Sequence, residues 1–356
     1  MLFNLGNKKY TCVDIGSYAI KVAIIQNKNN QLHLLDADYT HLPPDTIQDG
    51  KIIDHTIVGN KLKSLFSNLK HKPKNIITTV SSGNIITRNI ELPLMEGDEL
   101  EEAIRWELDD VLPFSSEETI FDYLVTDTDE EKMNLLIIAV KEEIINNFML
   151  PFEKIDLKPR VINAQSMALL SLLEYQSNLD KASAVIDIGH EGTRVVLGGR
   201  NHIELSRNIE TAGFDFTASI MELQNLDYRE AEKHKISNGI SIEKESDALD
   251  PTETSFLNFG NDMLNTAREI AGEISRSLEF YSIKNRGESI DQVYLTGGSI
   301  FLEGLIEVID EEIDPTPVLL NPLKDFENSS IISKDESHLY TIALGLVASE
   351  VLYNEG

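Results

Sequence analysis

The chain has 356 residues, 41% hydrophobic and 26% charged, a composition that suits a folded protein with two domains or one divided domain. Its 60 acidic side chains outnumber 31 basic ones, and a net charge of -29 repels nucleic acid and anionic lipid headgroups, so neither is expected as a direct partner. The longest uncharged apolar runs, such as LLIIAV at 135–140, are far shorter than the roughly 20 residues of a spanning helix, and MLFNLGNKKYTCV carries no export signal. A cytoplasmic protein is expected. The single cysteine, Cys12, excludes an intramolecular disulfide and a cysteine metal cage, and its apolar neighbours read as those of a buried structural thiol.

In chain order, strands are expected at 10–14, 19–25 and 31–38, followed by a loop carrying Pro and Asp-Gly punctuation. HTIVGNKLKSLFSNLK places Ile57, Leu62, Leu65, Phe66 and Leu69 at helical spacing, and KNIITTV at 74–80 returns to strand composition. ITRNIELPL reads as extended. The helix after it, GDELEEAIRWELDDVLPF, has Asp98 and Glu101 at capping-box spacing and Pro113 as its stop. Leu100, Ile104, Leu108 and Val111 form its apolar stripe, and Glu101, Glu102, Asp109 and Asp110 lie mostly elsewhere, as on a solvated face. FDYLVTD and MNLLIIAV add strands, and KEEIINNFMLPFEKI a helix. PRVIN is a short strand and MALLSLLEYQS a helix, before the strands and turns of ASAVIDIGHEGTRVVLGGRNHIELSRNIE. A long polar segment is expected over about 215–260, with SNGISIEKESDALDPTETS as an exposed loop. DMLNTAREIAGEISRSLEFYSIK keeps a helical stripe, QVYLTGG is a strand entering paired glycines, and SIFLEGLIEVIDEEI and HLYTIALGLVASEVL read as helices.

One pattern repeats. VDIGSYAIKVAI from Val13 and IDIGHEGTRVVL from Ile186 align without a gap, matching Asp14 with Asp187, Gly16 with Gly189 and Lys21 with Arg194. Two related halves are expected, each presenting an Asp-x-Gly turn. A glycine lets backbone amides approach phosphate oxygens, and Ser17 and Thr193 add hydroxyl donors. Asp14 and Asp187 would repel a bare phosphate, so they call for a divalent cation held through water. Lys21 either reaches a phosphate as a point charge or points to solvent. LTGGS at 295–299 ends a strand in Gly297 and Gly298 before a helix, a place where backbone comes close to a flat ligand, and TAGFDFT places Gly213 at a passage to a new subdomain.

The order of Asp-x-Gly hairpin, second Asp-x-Gly hairpin and Leu-x-Gly-Gly before a helix resembles the phosphate and adenosine motifs of the actin, sugar kinase and heat-shock ATPase superfamily. Within it, ELPLMEGDELEEAIRWELDDVLPF with FDYLV, AREIAGEISRSLEFY and HLYTIALGLVASEVL resemble the PilM family of type IV pilus assembly proteins over nearly the whole chain. The resemblance implies an α/β, actin-like fold of two related halves around a nucleotide cleft, with a 1C-type subdomain shared with the division protein FtsA. The implied boundaries are 1A over 1–83 and 154–183, 1C over 84–153, 2A over 184–214 and 284–339, 2B over 215–283, and a C-terminal helix over 340–356. It implies ATP and Mg²⁺ as ligands, with Asp14, Gly16, Ser17, Tyr18, Lys21, Asp187, Gly189, Gly192, Thr193, Gly213, Gly297, Gly298 and Ser299 as nucleotide contacts. Asn163, Glu273 and Arg276 are further candidates.

The implied partner is the cytoplasmic N-terminal tail of a PilN-like membrane protein, with other inner-membrane components and motor ATPases of the pilus machinery beyond it. That places the protein in the cytoplasm, peripheral to the inner membrane through its partner and with no direct membrane insertion. Arg105 and Trp106 are candidate partner contacts, against the alternative of a core tryptophan. Positions commonly acidic in the family are Asn163 and Gln165 here, and Ala212 stands where a glycine is usual, which implies ATP binding with slow or absent turnover. The alternatives are an FtsA-like filament protein and a small-molecule kinase. The first is disfavoured by an ending in a packed-looking helix and NEG, the second by the lack of a catalytic Asp candidate.

Overall fold

The computed structural model describes residues 8–177, 181–199, 202–240 and 251–353, and the side chains of all of these except residues 82 and 251–260. Of the loop expected over 237–255, residues 241–250 lie outside the described residues, as does the N-terminal stretch before Lys8, while its two ends fall in helices. The chain divides into two compact units, Met1–Asp180 with Gly198–Ser206 and Asn321–Gly356, and Lys181–Leu197 with Arg207–Leu320.

The first unit starts with β1 (Lys8–Ile15) and β2 (Ala19–Lys28), buried along most of their length as expected of strands covered on both faces, and β3 (Gln31–His41), which is mostly half-buried. A small hairpin, β4 (Ile47–Gln48) and β5 (Lys51–Ile52), leads to α1 (His55–Asn68). The Asp54 carboxylate caps α1 by accepting from the backbone N–H groups of Thr56 and Ile57, each at 2.9 Å. β6 (Ile76–Val80) follows, then β7 (Ile85–Pro93), α2 (Asp98–Val111), β8 (Thr119–Thr128), β9 (Lys132–Lys141) and α3 (Glu142–Glu153). β10 (Val161–Ala164) runs directly into α4 (Gln165–Gln176).

The expected capping box at Asp98 and Glu101 is not formed. Gly97 takes the N-cap position without a side-chain bond, and Asp98 is already the first helical residue. α2 instead owes its place to burial: Leu100, Ile104 and Leu108 pack with Leu92, Met133, Leu135, Ile137 and Ala139 of the sheet β7-β9-β8.

β11 (Ser183–Ile188) and β12 (Thr193–Gly199) form the second hairpin, followed by β13 (His202–Ile209), of which residues 198–206 count with the first unit and the rest with the second. The polar segment expected from about 215 is helical instead: α5 (Gly213–Gln224), α6 (Tyr228–Asn238) and then α7 (Pro251–Lys284), which starts before the expected helix. Burial of Phe216 and Ile220 holds α5. A capping box holds α6, with the Asp227 carboxylate accepting from Glu230 N at 2.9 Å and Glu230 accepting from Asp227 N at 3.4 Å. β14 (Gln292–Thr296) enters a 3₁₀ turn over Gly298–Phe301 before α8 (Leu305–Glu312), so the single helix expected there is broken at Gly304. The sheet runs in the order β13-β12-β11-β14-β15, with β15 (Val318–Leu319) at its edge.

The chain end completes the first unit. β16 (Phe326–Glu327) pairs with β3, making the sheet β10-β6-β1-β2-β3-β16, and α9 (Thr341–Tyr353) packs against α4, β1, β2 and β6 with Thr341 through Glu350 all buried. The Gln176 amide donates to the carbonyls of Asn321, Pro322 and Lys324, while Lys324 Nζ donates back to the Gln176 carbonyl at 2.9 Å. No helix among the described residues is long and apolar enough to cross a membrane.

Candidate functional site

The two Asp-x-Gly hairpins have the same internal construction. In the first, antiparallel pairing of β1 with β2 sets Asp14 opposite Lys21, and Gly16 N donates to the Ala19 carbonyl at 3.1 Å to close the turn. In the second, Gly189 N donates to the Gly192 carbonyl at 3.0 Å. Each aspartate is buried and carries the base of its own hairpin: Lys21 Nζ lies 2.9 Å from Asp14 Oδ2, and Arg194 lies 3.0 Å from Asp187 Oδ2. Lys21 therefore does not point to solvent; its ammonium is mostly buried and one of its donors is directed at Asp14. A Cβ at Gly16 would fall 2.9 Å from that ammonium and 3.4 Å from the Ala19 carbonyl oxygen.

Around Asp14 the expected residues separate. Gln165, at the start of α4, turns its amide to Asp14 Oδ1 at 3.5 Å. Asn163 faces α9 instead, donating to Ser349 Oγ at 2.8 Å while its own oxygen accepts from Ala164 N. The Tyr18 ring meets His41 edge-on with centroids 4.7 Å apart, and its carbonyl accepts from Leu42 N at 2.9 Å. Ser17 sits in the turn, half-buried.

In the second unit the expected residues converge on the Gly189 carbonyl, which accepts from Gly213 N at 3.1 Å and from Ser299 Oγ at 2.7 Å. A Cβ on Gly213 would strike Ser299 Oγ and lie 3.0 Å from Gly189 O. Parallel pairing of β11 with β14 sets Asp187 beside Thr296, so Gly297 follows at φ +102° with its α-carbon against the aspartate. Thr193 commits its hydroxyl to the Thr211 carbonyl at 2.9 Å, and Gly192 lies against Asn208.

Glu273 and Arg276 form a separate group on α7. Glu273 takes ion pairs from both Arg276 and Arg207, and these hold its carboxyl below the usual range, the Arg276 hydrogen bond contributing most. Thr211 Oγ1 donates to Glu269 at 2.9 Å and ties α7 to the segment entering Gly213.

Lys235, beside Gly213, has no place in the sequence reading. Lys235 is buried, donates to the Gly213 carbonyl at 3.0 Å and to Thr217 Oγ1 at 2.9 Å, and pairs with Glu232 at 2.8 Å. Burial pulls its ammonium below the ordinary lysine range, and Glu232 partly offsets this. DYRE at capping-box spacing signalled the helix that carries it. Nearby, His190 and Tyr228 meet Phe214 in a ring cluster beside the second turn.

Among the described residues, no three His, Cys, Asp or Glu side chains gather to hold an ion unaided. Each unit offers one buried hairpin carboxylate, Asp14 or Asp187, a donor of the kind Mg²⁺ takes while it keeps several of its waters.

In three dimensions the chain is similar to a PilM–PilN type IV pilus biogenesis complex, with a TM-score of 0.80 and 23% identity over 95% of this chain and 97% of that one. It is also similar to MreB 5 of Spiroplasma citri bound to AMPPNP, with a TM-score of 0.53 and 15% identity over 98% and 97%. In sequence it is 21% identical to the cell division protein FtsA of Staphylococcus epidermidis over 382 residues, 97% of this chain and 80% of that protein. The fold is actin-like. The family model described as type IV pilus assembly protein PilM matches residues 12–350, and the chain belongs to that family.

Proposed function

We propose that this protein is an ATP-binding scaffold of the type IV pilus inner-membrane assembly complex. The observation that carries the nucleotide reading is the duplicated hairpin, in which a buried aspartate, a glycine turn and a paired base recur at the same sequence spacing. In each unit the hairpin aspartate, Asp14 or Asp187, orients water on Mg²⁺, and the turn, at Gly16 or Gly189, presents backbone to phosphate. Gly213, Gly297, Gly298 and Ser299 serve the nucleoside side. The nearest polar group to Asp14 from α4 is the neutral amide of Gln165, a weak base, so turnover is slow or absent.

The scaffold docks the N-terminal tail of a PilN-like membrane protein, with residues 84–153 as the 1C-type subdomain taking part, and this places it in the cytoplasm against the inner membrane. Support comes from family membership and from likeness to a structure that pairs PilM with PilN. Calorimetry with a synthetic PilN-tail peptide, with and without ATP and Mg²⁺, tests this. Binding whose affinity changes with nucleotide is the expected result, and no binding in either state overturns the docking. Equilibrium dialysis with labelled ATP tests the hairpins, since Asp14→Asn and Asp187→Asn should each weaken it; unaltered affinity in both overturns the assignment.

A further inference from the structure

α2 presents an outer face that does nothing for its own helix. Trp106 is 78% exposed, and on a helical wheel Glu99, Glu102, Asp109 and Asp110 surround it at three-, four- and seven-residue spacings, all exposed. The one basic residue of α2 is engaged elsewhere: Arg105 lies over the Phe121 ring at 4.9 Å and donates to the Ser116 carbonyl. Asp109 is repaid by accepting from Ser116 N at 3.1 Å. Among the described residues, Glu99, Glu102, Asp110 and the Trp106 indole have no hydrogen bond, ion pair or ring contact. Asp110 also sits in the last helical turn, which holds no basic residue, against the negative end of the helix dipole. An exposed indole and an uncompensated acid at a helix C-terminus both cost the free chain, by exposed apolar area and by repulsion.

We propose that this face of α2 is a docking surface for a cationic segment of a partner protein, with an Arg or Lys of the partner over the Trp106 ring and neighbouring cations on Glu102 and Asp110. Charge complementarity selects this occupant. A cation over an indole is the best of the cation–π pairs, and it gains further from a carboxylate ring that would repel acidic proteins and anionic lipid. The surface stands by itself, whether or not the chain binds a nucleotide or a PilN-like tail.

Trp106 is the sole tryptophan, so its fluorescence reports this face directly. The probe is an amidated peptide of alternating Arg and Gly, titrated into the full chain at about physiological salt, where long-range fields are screened. A saturable change in Trp106 emission is expected. By calorimetry, Trp106→Ala, which leaves the net charge unaltered, should weaken binding by about tenfold, the scale of an aromatic anchor, with Trp106→Phe between it and the parent. Glu102→Gln with Asp110→Asn should weaken it similarly, while Glu311→Gln with Glu312→Gln, the same charge change on the exposed end of α8, should leave it within about twofold. Equal loss in both charge pairs, or unchanged affinity of Trp106→Ala, would mean general attraction to an acidic protein and would overturn the proposal. Circular dichroism of each variant identifies any loss due to unfolding.

Discussion

Replacing Gly297 by alanine should be far costlier than replacing Gly287, although both have φ near +100°. Gly297 sits at φ +102° and ψ 165°, and Gly287 at φ +91°. Each substitution pays for a backbone region that L-residues avoid, about 1–3 kcal/mol. A Cβ on Gly287 meets nothing within 4 Å, so strain is its whole cost. A Cβ on Gly297 would fall 2.6 Å from Asp187 Oδ1 and closer still to the Ile188 carbonyl oxygen. Ile188 ends β11, which is held between β12 and β14, so it cannot withdraw without disturbing two ladders. Overpacking of this kind adds about 1–3 kcal/mol, and Gly297→Ala should exceed Gly287→Ala by about 2 kcal/mol. Urea denaturation followed by far-ultraviolet circular dichroism measures the difference; Trp106 fluorescence does not suit, because that residue belongs to the other unit. Equal destabilisation by the two substitutions would refute the clash argument, leaving strain alone. The forced movement also displaces the Asp187 carboxylate, so Gly297→Ala should lose ATP affinity even at temperatures where it stays folded.

Two further outcomes follow from buried charge and a buried thiol. Lys21→Met strands the Asp14 carboxylate, whose side chain is 4% exposed, and should cost about 3 kcal/mol in urea denaturation, whereas the double variant with Asp14→Leu should recover most of it; a double variant as unstable as the single would disprove the pairing. Burial, reinforced by the negative charge of Glu350, pushes the Cys12 thiol well above its ordinary range, so it should resist a disulfide reagent in the folded chain and react at once in guanidinium. The folded chain keeps the proton that the unfolded chain releases above about pH 9, so this residue makes stability fall as pH rises past that point, and Cys12→Ala should flatten the decline.

Much of the architecture was legible because its signals are local or repeated. The two hairpins were readable from a duplicated register, and that register also explains the matched ion pairs Asp14–Lys21 and Asp187–Arg194, since the base facing each aspartate across the ladder is fixed by turn length. The bonds among Gly189, Gly213 and Ser299 were foreseen only as separate glycine motifs, because their convergence depends on which strands neighbour β11. α6 was missed for a physical reason: its one large aliphatic residue, Ile236, is 68% exposed, and the residues it buries are Ala231 and a lysine, so no apolar stripe marks it. Pro251 lies in a stretch whose polar composition suits a loop, yet it stands at the first position of α7, a place to which proline is well suited. Trp106, weighed as a core residue, is exposed because the wheel position opposite Leu100, Ile104 and Leu108 faces away from the sheet.

The last-made residues of the first unit bear on how the polypeptide leaves the ribosome. β16 and α9 supply an edge strand and a wholly buried helix to a sheet whose other strands are made before residue 165. Between them lies nearly all of the second unit, which can finish its own core while the first still lacks its closing helix. Until α9 arrives, the apolar surfaces of α4 and β1 stay uncovered through the synthesis of about half the protein, on the order of ten seconds or more. Pauses or truncations in that interval would therefore yield a sticky, chaperone-dependent species, with the Gln176 clasp on residues 321–324 able to close only after the second unit has been made.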